Sequence, residues 1–230
     1  MTATLRAEFA SSSTSIPVGD GVAWIDAASA QIDYFTFYGA IIDGHFPGDV
    51  RGAAVLDVGA HKGYFALRCL ADGARRVDSY EPASQNLARL QESEATFGGE
   101  GEWRVYQSAV GAHAGSIELN LSPGSWGHSI HVPVGGTSVG SETVEMVALS
   151  EALRSVRDAG GPVVVKINVE GAAGEMILGT SPEDWAEVSL LWIDFEENDP
   201  VGWRPLTSHL QTCGLDYVET ENTRNLFVPR

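Results

Sequence analysis

Four short segments of this chain carry polar residues where an apolar strand would end. "VLDVGAHKGYF" (55–65) places Asp57, Gly59, His61 and Gly63 across a strand, a tight turn and a helix start. "SYEP" puts Glu81 behind a second strand, and "VVVKINVEG" (163–171) sets Lys166, Asn168 and Glu170 at every second position. Alternate residues of an extended chain share one side, so these three point together. "LLWIDFE" closes on Asp194 and Glu196 in the same way. Carboxylates and a histidine gathered at strand ends suit proton transfer and the binding of hydroxyl groups.

The glycine turn suggests a nucleotide-like ligand, since glycines remove side-chain bulk and admit positive φ where a backbone must come close. It does not fit a dinucleotide. The pyrophosphate fingerprint needs small residues at offsets 0, 2 and 5, and counted from Gly59 the last two places hold His61 and Tyr64. A nicotinamide oxidoreductase is therefore disfavoured. Glu81, 24 residues after Asp57, is placed to accept hydrogen bonds from the vicinal hydroxyls of a ribose. Adenosine without pyrophosphate is the ligand these two features suggest.

The elements that must hold these residues alternate. Strand-like runs at 53–58, 76–81, 102–107, 163–168 and 188–195 are interleaved with helical segments at 63–73 and 83–99, each closed by glycine. Such alternation predicts an α/β fold with a mostly parallel sheet covered on both faces and ligand loops at the strands' carboxyl ends. "LDYV" and "NLFV" near the C-terminus predict an antiparallel hairpin at one sheet edge. Residues 111–147, rich in Gly and Ser with short strand-like pieces, read as an insertion or lid. Residues 22–47 carry Trp24, Tyr34, Phe35, Phe37, Tyr38 and Phe46, expected to form helices packed on the core or over a pocket.

Together, "VLDVGAHKGYFAL", "SYEP", "SAVGAHAGSIEL" and "VVKINVEGAAGEMILG" resemble the landmark segments of class I S-adenosylmethionine-dependent methyltransferases of the FkbM type. The likeness runs from about residue 50 to the C-terminus. It implies a Rossmann-like fold with a seven-stranded sheet: a methyltransferase domain over 51–230 behind an N-terminal extension over 1–50. It also implies that Asp57, Gly59, Ala60 and Gly63 line the methionine and ribose part of the cofactor, that Glu81 holds the ribose, and that Ser108 and Ala109 border the adenine. Asn168 belongs to the same cofactor-facing set. The family usually carries Asp where this chain has Asn168; asparagine is no base and a weak ligand for hard cations, so no metal is expected.

The expected reaction is methyl transfer to a hydroxyl of a small molecule, a secondary metabolite or sugar-like acceptor, with Glu170, Glu196 and His61 as candidate catalytic groups. Asp194 alternates with Glu196 and is a further candidate, while Glu170 has helix capping at 173–180 as its alternative role. "PGSWGHSIHVPVGG" offers Trp126 and His128 to the acceptor within a lid that excludes water. Methylation of an amine and cofactor binding without turnover are the alternatives.

Charge narrows the partners. A formal charge of -17 opposes attraction to phosphate backbones or anionic lipid, so neither nucleic acid nor membrane is expected. The start of the chain lacks the apolar core of a signal peptide, and no run reaches about 18 apolar residues, so a cytoplasmic location is expected. Cys69 and Cys213 lack metal-site spacing and read as small buried hydrophobes. Assembly as a homo-oligomer is left open. The only two lysines, Lys62 and Lys166, both fall inside motif segments. Lys166, set within a strand, should pair with a carboxylate, whereas Lys62 is open either to solvent or to an acidic substrate.

Overall fold

The computed structural model describes residues 15–18, 21–24, 33, 36, 39, 40, 46, 48–99, 101–197, 199–218 and 225–230. The chain order is β1 (Ser15–Val18), β2 (Gly21–Trp24), β3 (Ala54–Val58), α1 (Tyr64–Ala71), β4 (Arg76–Tyr80), α2 (Ser84–Phe97), β5 (Trp103–Tyr106), β6 (Ala109–Gly111), β7 (Gly115–Leu121) and β8 (Gly140–Ala148). It continues with α3 (Leu149–Arg157), β9 (Val163–Asn168), α4 (Ala173–Leu178), β10 (Val188–Asp194), α5 (Trp203–Thr212), β11 (Leu215–Val218) and β12 (Asn225–Pro229).

Seven strands form the main sheet in the order β11-β12-β10-β9-β3-β4-β5. The pairs from β10 through β5 are parallel, and β12 runs antiparallel to both β10 and β11, which gives the expected C-terminal hairpin. Strand order reverses between β3 and β9. In open α/β sheets that reversal opens a crevice outside the carboxyl ends, because the crossovers on either side leave in opposite directions.

Residue parity explains why β3 and β9 are buried on both faces. Leu56, Val58, Val165 and Ile167 pack one way, on Leu153 and Val156 of α3 and Ile177 of α4. Val55 and Val164 pack the other way, on Phe65 and Leu67 of α1. Each such fully buried side chain contributes roughly 1.5–3 kcal/mol. Asp57 and Lys166 share the parity of Val55 and Val164 and sit directly opposite each other in register. A buried charge pair is thereby set into the α1 face of the sheet, with the Ser79 hydroxyl of β4 beside Asp57.

Residues 111–147 are more ordered than expected. β7 pairs antiparallel with β8 over its full length and β6 joins β8 in parallel, making a three-stranded sheet from which the connection 122–139 projects. Its inward faces are small: Ala109, Leu119 and Val144 with Ala83 form a satellite core. The N-terminal residues that are described include the hairpin β1–β2, which was not expected, and helical backbone at Asp33 and Thr36. Of the aromatics expected there, Tyr34, Phe35, Phe37 and Tyr38 lie outside the described residues. Phe46 packs edge-on against Phe65 and Trp192. Among the described residues no helix is long and apolar enough to cross a membrane.

Candidate active site

A cavity of about 610 Å³ opens at the carboxyl ends of the parallel strands. Its wall brings together Gly59, Ala60 and His61 after β3, Glu81 after β4, Ser108 and Ala109 before β7, Asn168 and Glu170 at the end of β9, and Asp194 and Glu196 at the end of β10. Trp126, His128 and Ser129 come from the 122–139 connection, and Thr36, Gly39, Ala40 and Phe46 from the N-terminal segment. Eleven of the thirteen residues picked from sequence thus meet in one space.

The other two, Asp57 and Gly63, stand behind the wall. Asp57 is fully buried and accepts a hydrogen bond from Lys166 Nζ at 2.9 Å, while the same ammonium donates to the Gly59 carbonyl at 2.7 Å. The pair fixes the loop from below, as the pairing expected of Lys166 requires. Gly63 holds φ 87° at the start of α1, where a Cβ would lie 2.7–2.8 Å from Leu90 and Trp103. Its role there is packing. At Gly59 a Cβ would fall 2.0 Å from the Asn168 carbonyl oxygen, so only glycine allows β3 and β9 to end so close together.

The loop does not present its N–H groups to the cavity. Gly59 and Ala60 N–H both donate to the Tyr80 carbonyl at 3.0 Å, Gly63 N–H to the Ala60 carbonyl, and His61 N–H to Glu81 Oε2 at 2.8 Å. His61 takes φ 54°, a left-handed backbone uncommon outside glycine, and this turn aims its amide at Glu81. With these donors spent, the loop is no phosphate cradle, and the mismatch with a dinucleotide has a structural cause. The polar group left facing the cavity is Glu81 itself, an acceptor suited to hydroxyls.

Glu81 is 5% exposed. Burial pushes its carboxyl up to about 7, against the lowering effects of hydrogen bonds from Ala83 N–H, Asn86 Nδ2 and His61 N–H and of the Lys166 charge. His61 moves the opposite way: burial, then the charges of Lys62, Lys166 and His128, hold it well below the ordinary imidazole value. It is a neutral ring at pH 7. Its Nε2 lies 3.0 Å from Ser125 Oγ, and its Nδ1 is buried with no hydrogen-bond partner among the described residues.

Lys62 reaches neither solvent nor cavity, contrary to both options left open for it. It is 1% exposed and paired with fully buried Asp33 at 2.7 and 2.9 Å. One ammonium thus ties the N-terminal segment to the glycine loop, just as Lys166 ties that loop to β9. Sequence reasoning missed Asp33, because nothing local marks a partner 29 residues away.

The 122–139 connection is stitched to three motif segments. Ser125 meets His61 through its hydroxyl and accepts a 2.8 Å hydrogen bond from Asn86 Nδ2 through its carbonyl; Ser129 Oγ donates to the Glu170 carbonyl at 2.7 Å. His128 is held too: its Nδ1 accepts the Ser122 N–H at 3.0 Å, so the neutral ring carries its proton on Nε2, 2.6 Å from the side-chain amide of Gln85. Burial lowers its pKa, with Glu142 opposing. Trp126 stays 40% exposed at the rim.

A doubly wound parallel sheet with an antiparallel C-terminal hairpin and a carboxylate closing β4 is the architecture of class I methyltransferases. The chain belongs to the FkbM methyltransferase family: the sequence model of the methyltransferase FkbM domain matches residues 57–205. Members of this family use S-adenosylmethionine, and Glu81, a buried acceptor in the cavity wall, has the chemistry to receive hydroxyl donors such as those of a ribose. Among solved structures, the methyltransferase FkbM from Methylobacillus flagellatus KT is 15% identical with a TM-score of 0.52, over 89% of this chain and 55% of that one. Fibrillarin from Aeropyrum pernix, in complex with natively bound S-adenosyl-L-methionine, is 10% identical over 85% and 74% of the two chains, with a TM-score of 0.46. Magnesium protoporphyrin IX methyltransferase from Synechocystis PCC 6803 with bound SAH is 12% identical over 92% and 90%, with a TM-score of 0.44. The chain therefore spans about half of the FkbM structure it resembles, and that likeness bears on fold alone. No curated protein matches the chain.

Proposed function

We propose that the protein transfers a methyl group from S-adenosylmethionine to a hydroxyl of a small-molecule acceptor. One observation carries this reading: cofactor-side and acceptor-side residues share a single cavity of about 610 Å³, inside the roughly 300–1,000 Å³ typical of small-ligand sites. Glu81 accepts from the ribose, Gly59 to His61 form the floor beside it, Ser108 and Ala109 border the adenine, and Asn168 closes the β9 side. When bound, S-adenosylmethionine supplies a methyl group on positively charged sulfur. The chain's part is to hold the acceptor oxygen in line with that carbon and to take its proton. Positioning of this kind is worth up to about 7–11 kcal/mol, and a general base about 10²–10⁴ in rate.

The base is a strand-end carboxylate, Glu170 or Glu196, with Asp194 beside them. His61 is a poor proton acceptor because its burial, and after that two ammonium charges, oppose its protonation. It serves instead to hold Ser125, and the loop carrying Trp126 and His128 covers the acceptor.

One observation favours an amine acceptor as a second reading. The cavity wall carries Glu81, Glu170, Asp194 and Glu196 against a single ammonium, Lys166, already paired with Asp57. Two measurements separate the readings. Thermal shift with S-adenosylmethionine, S-adenosylhomocysteine and NAD should show stabilisation by the first two, abolished in Glu81→Ala; stabilisation by NAD alone would sink the proposal. With an acceptor in hand, a hydroxyl substrate gives a rate that levels off above the base's pKa, whereas an amine gives a rate that keeps rising to the amine's own pKa. Cofactor binding with no turnover on any acceptor would point to a non-catalytic descendant.

A further inference from the structure

Asn86, on the first turns of α2, was given no role from sequence. It is 2% exposed, it lines the cavity, and its side-chain amide has an orientation that chemistry dictates. Nδ2 faces the Ser125 carbonyl at 2.8 Å, which only accepts, and Glu81 Oε1 at 3.3 Å, which accepts when the carboxyl is ionised. Reversing the amide would set its oxygen against the Ser125 carbonyl oxygen and against the ionised Glu81, so nitrogen must stand there. Oδ1 consequently faces the other way and has no hydrogen-bond partner among the described residues. A buried amide oxygen left unpaired is costly, and nine in ten such groups are satisfied, so it calls for a donor from a ligand.

Counting lone pairs on Glu81 says which donor. A carboxylate offers about four acceptor positions. Oε1 already receives Ala83 N–H at 3.0 Å and Asn86 Nδ2, and Oε2 receives His61 N–H at 2.8 Å. One position remains, on Oε2. A ribose brings two vicinal hydroxyls, and the second needs another acceptor. The amide that fills one of Glu81's places carries that acceptor on its other arm.

Resting on the cofactor reading above, we propose that the ribose diol is divided: one hydroxyl donates to Glu81 Oε2 and its neighbour to Asn86 Oδ1. Asn86 is then a cofactor-binding residue and, through the Ser125 carbonyl, also the link between the ribose site and the loop over the acceptor.

The test is a binding cycle by calorimetry with S-adenosylhomocysteine and its 2′-deoxy and 3′-deoxy forms, on the wild-type chain and Asn86→Ala. In wild type each deoxy ligand should bind about 5- to 10-fold more weakly. In Asn86→Ala one of those penalties should vanish while the other persists, because only one hydroxyl has lost its acceptor. A merely structural role would weaken all three ligands alike and leave both penalties intact, which overturns the proposal. If S-adenosylhomocysteine does not bind the wild-type chain, the cofactor reading itself fails, a distinct result. Should Asn86→Ala not fold, a crystal structure of the wild-type complex decides: a ribose oxygen within about 3.2 Å of Asn86 Oδ1 supports the division, and both hydroxyls on Glu81 refute it.

Discussion

The two halves of the cavity are built on different principles. On the cofactor side every charged group is answered within the protein: Asp57 by Lys166, Lys62 by Asp33, and Glu81 by three N–H donors. On the acceptor side Glu170, Asp194 and Glu196 are only half-buried, at the ends of two neighbouring strands and under a loop held by a few serine hydrogen bonds. Rigid positioning of a common cofactor requires the first arrangement. Groups that must gain or lose a proton during turnover need the second, where water and substrate can reach them.

If that contrast is right, mutations should divide along it. The largest effect is expected on the acceptor side and on rate alone: Glu170→Gln or Glu196→Gln should lower kcat about 10²–10⁴-fold, with urea midpoints shifted little. Full turnover in both variants would remove Glu170 and Glu196 as the base and leave Asp194. Next, Lys166→Met should cost about 3–5 kcal/mol of unfolding free energy, because it strands the Asp57 charge in the core and frees the Gly59 carbonyl. A loss below about 1 kcal/mol in urea denaturation would mean that the pair does not support the loop.

The same contrast decides what could be read from the sequence. Strands β3, β4, β9 and β10, the glycine turn and the C-terminal hairpin were legible because each is written in consecutive residues, apolar run then polar end. Asn168 and Glu170 could be placed on the pocket side from alternation alone. β7 and β8 were seen only in part, since strands exposed on one face carry Ser, Glu and Asn and look like loop. α3 had a usable signal that went unread: Leu149, Ala152, Leu153 and Val156 repeat at helical spacing. Asp33, Asn86 and Ser125 had none. Their meaning comes from partners 29 and 39 residues away, and a polar residue on an amphipathic helix ordinarily faces water.

A smaller effect tests Glu81 through pH. Its carboxyl sits near 7 in the folded protein and in the ordinary range, about 4.5, when unfolded. Stability from the neutral form is therefore complete below about pH 4.5 and is lost as pH rises to about 7, by roughly 3 kcal/mol. Hydroxyl donors favour the ionised form, so binding at lower pH must first expel a proton. S-adenosylhomocysteine should bind about tenfold more weakly at pH 6 than at pH 8, and Glu81→Gln should flatten that dependence. An equally steep profile in the Gln variant would assign the titration elsewhere.

The smallest expected effects come from two serines on one loop, and they cut most finely between the halves. Ser129→Ala releases the loop from the Glu170 carbonyl, so it should raise KM for the acceptor about 2- to 5-fold and leave S-adenosylhomocysteine affinity unchanged. Ser125→Ala removes the hydroxyl that meets His61 Nε2, leaving a second ring nitrogen without a partner beside the amide that serves Glu81. Its loss should appear in cofactor affinity, by a similar factor, ahead of any change in acceptor KM. If both variants shift both constants equally, the loop moves as one body and the cavity has no internal boundary; if each shifts its own constant, the boundary runs between Ser125 and Ser129.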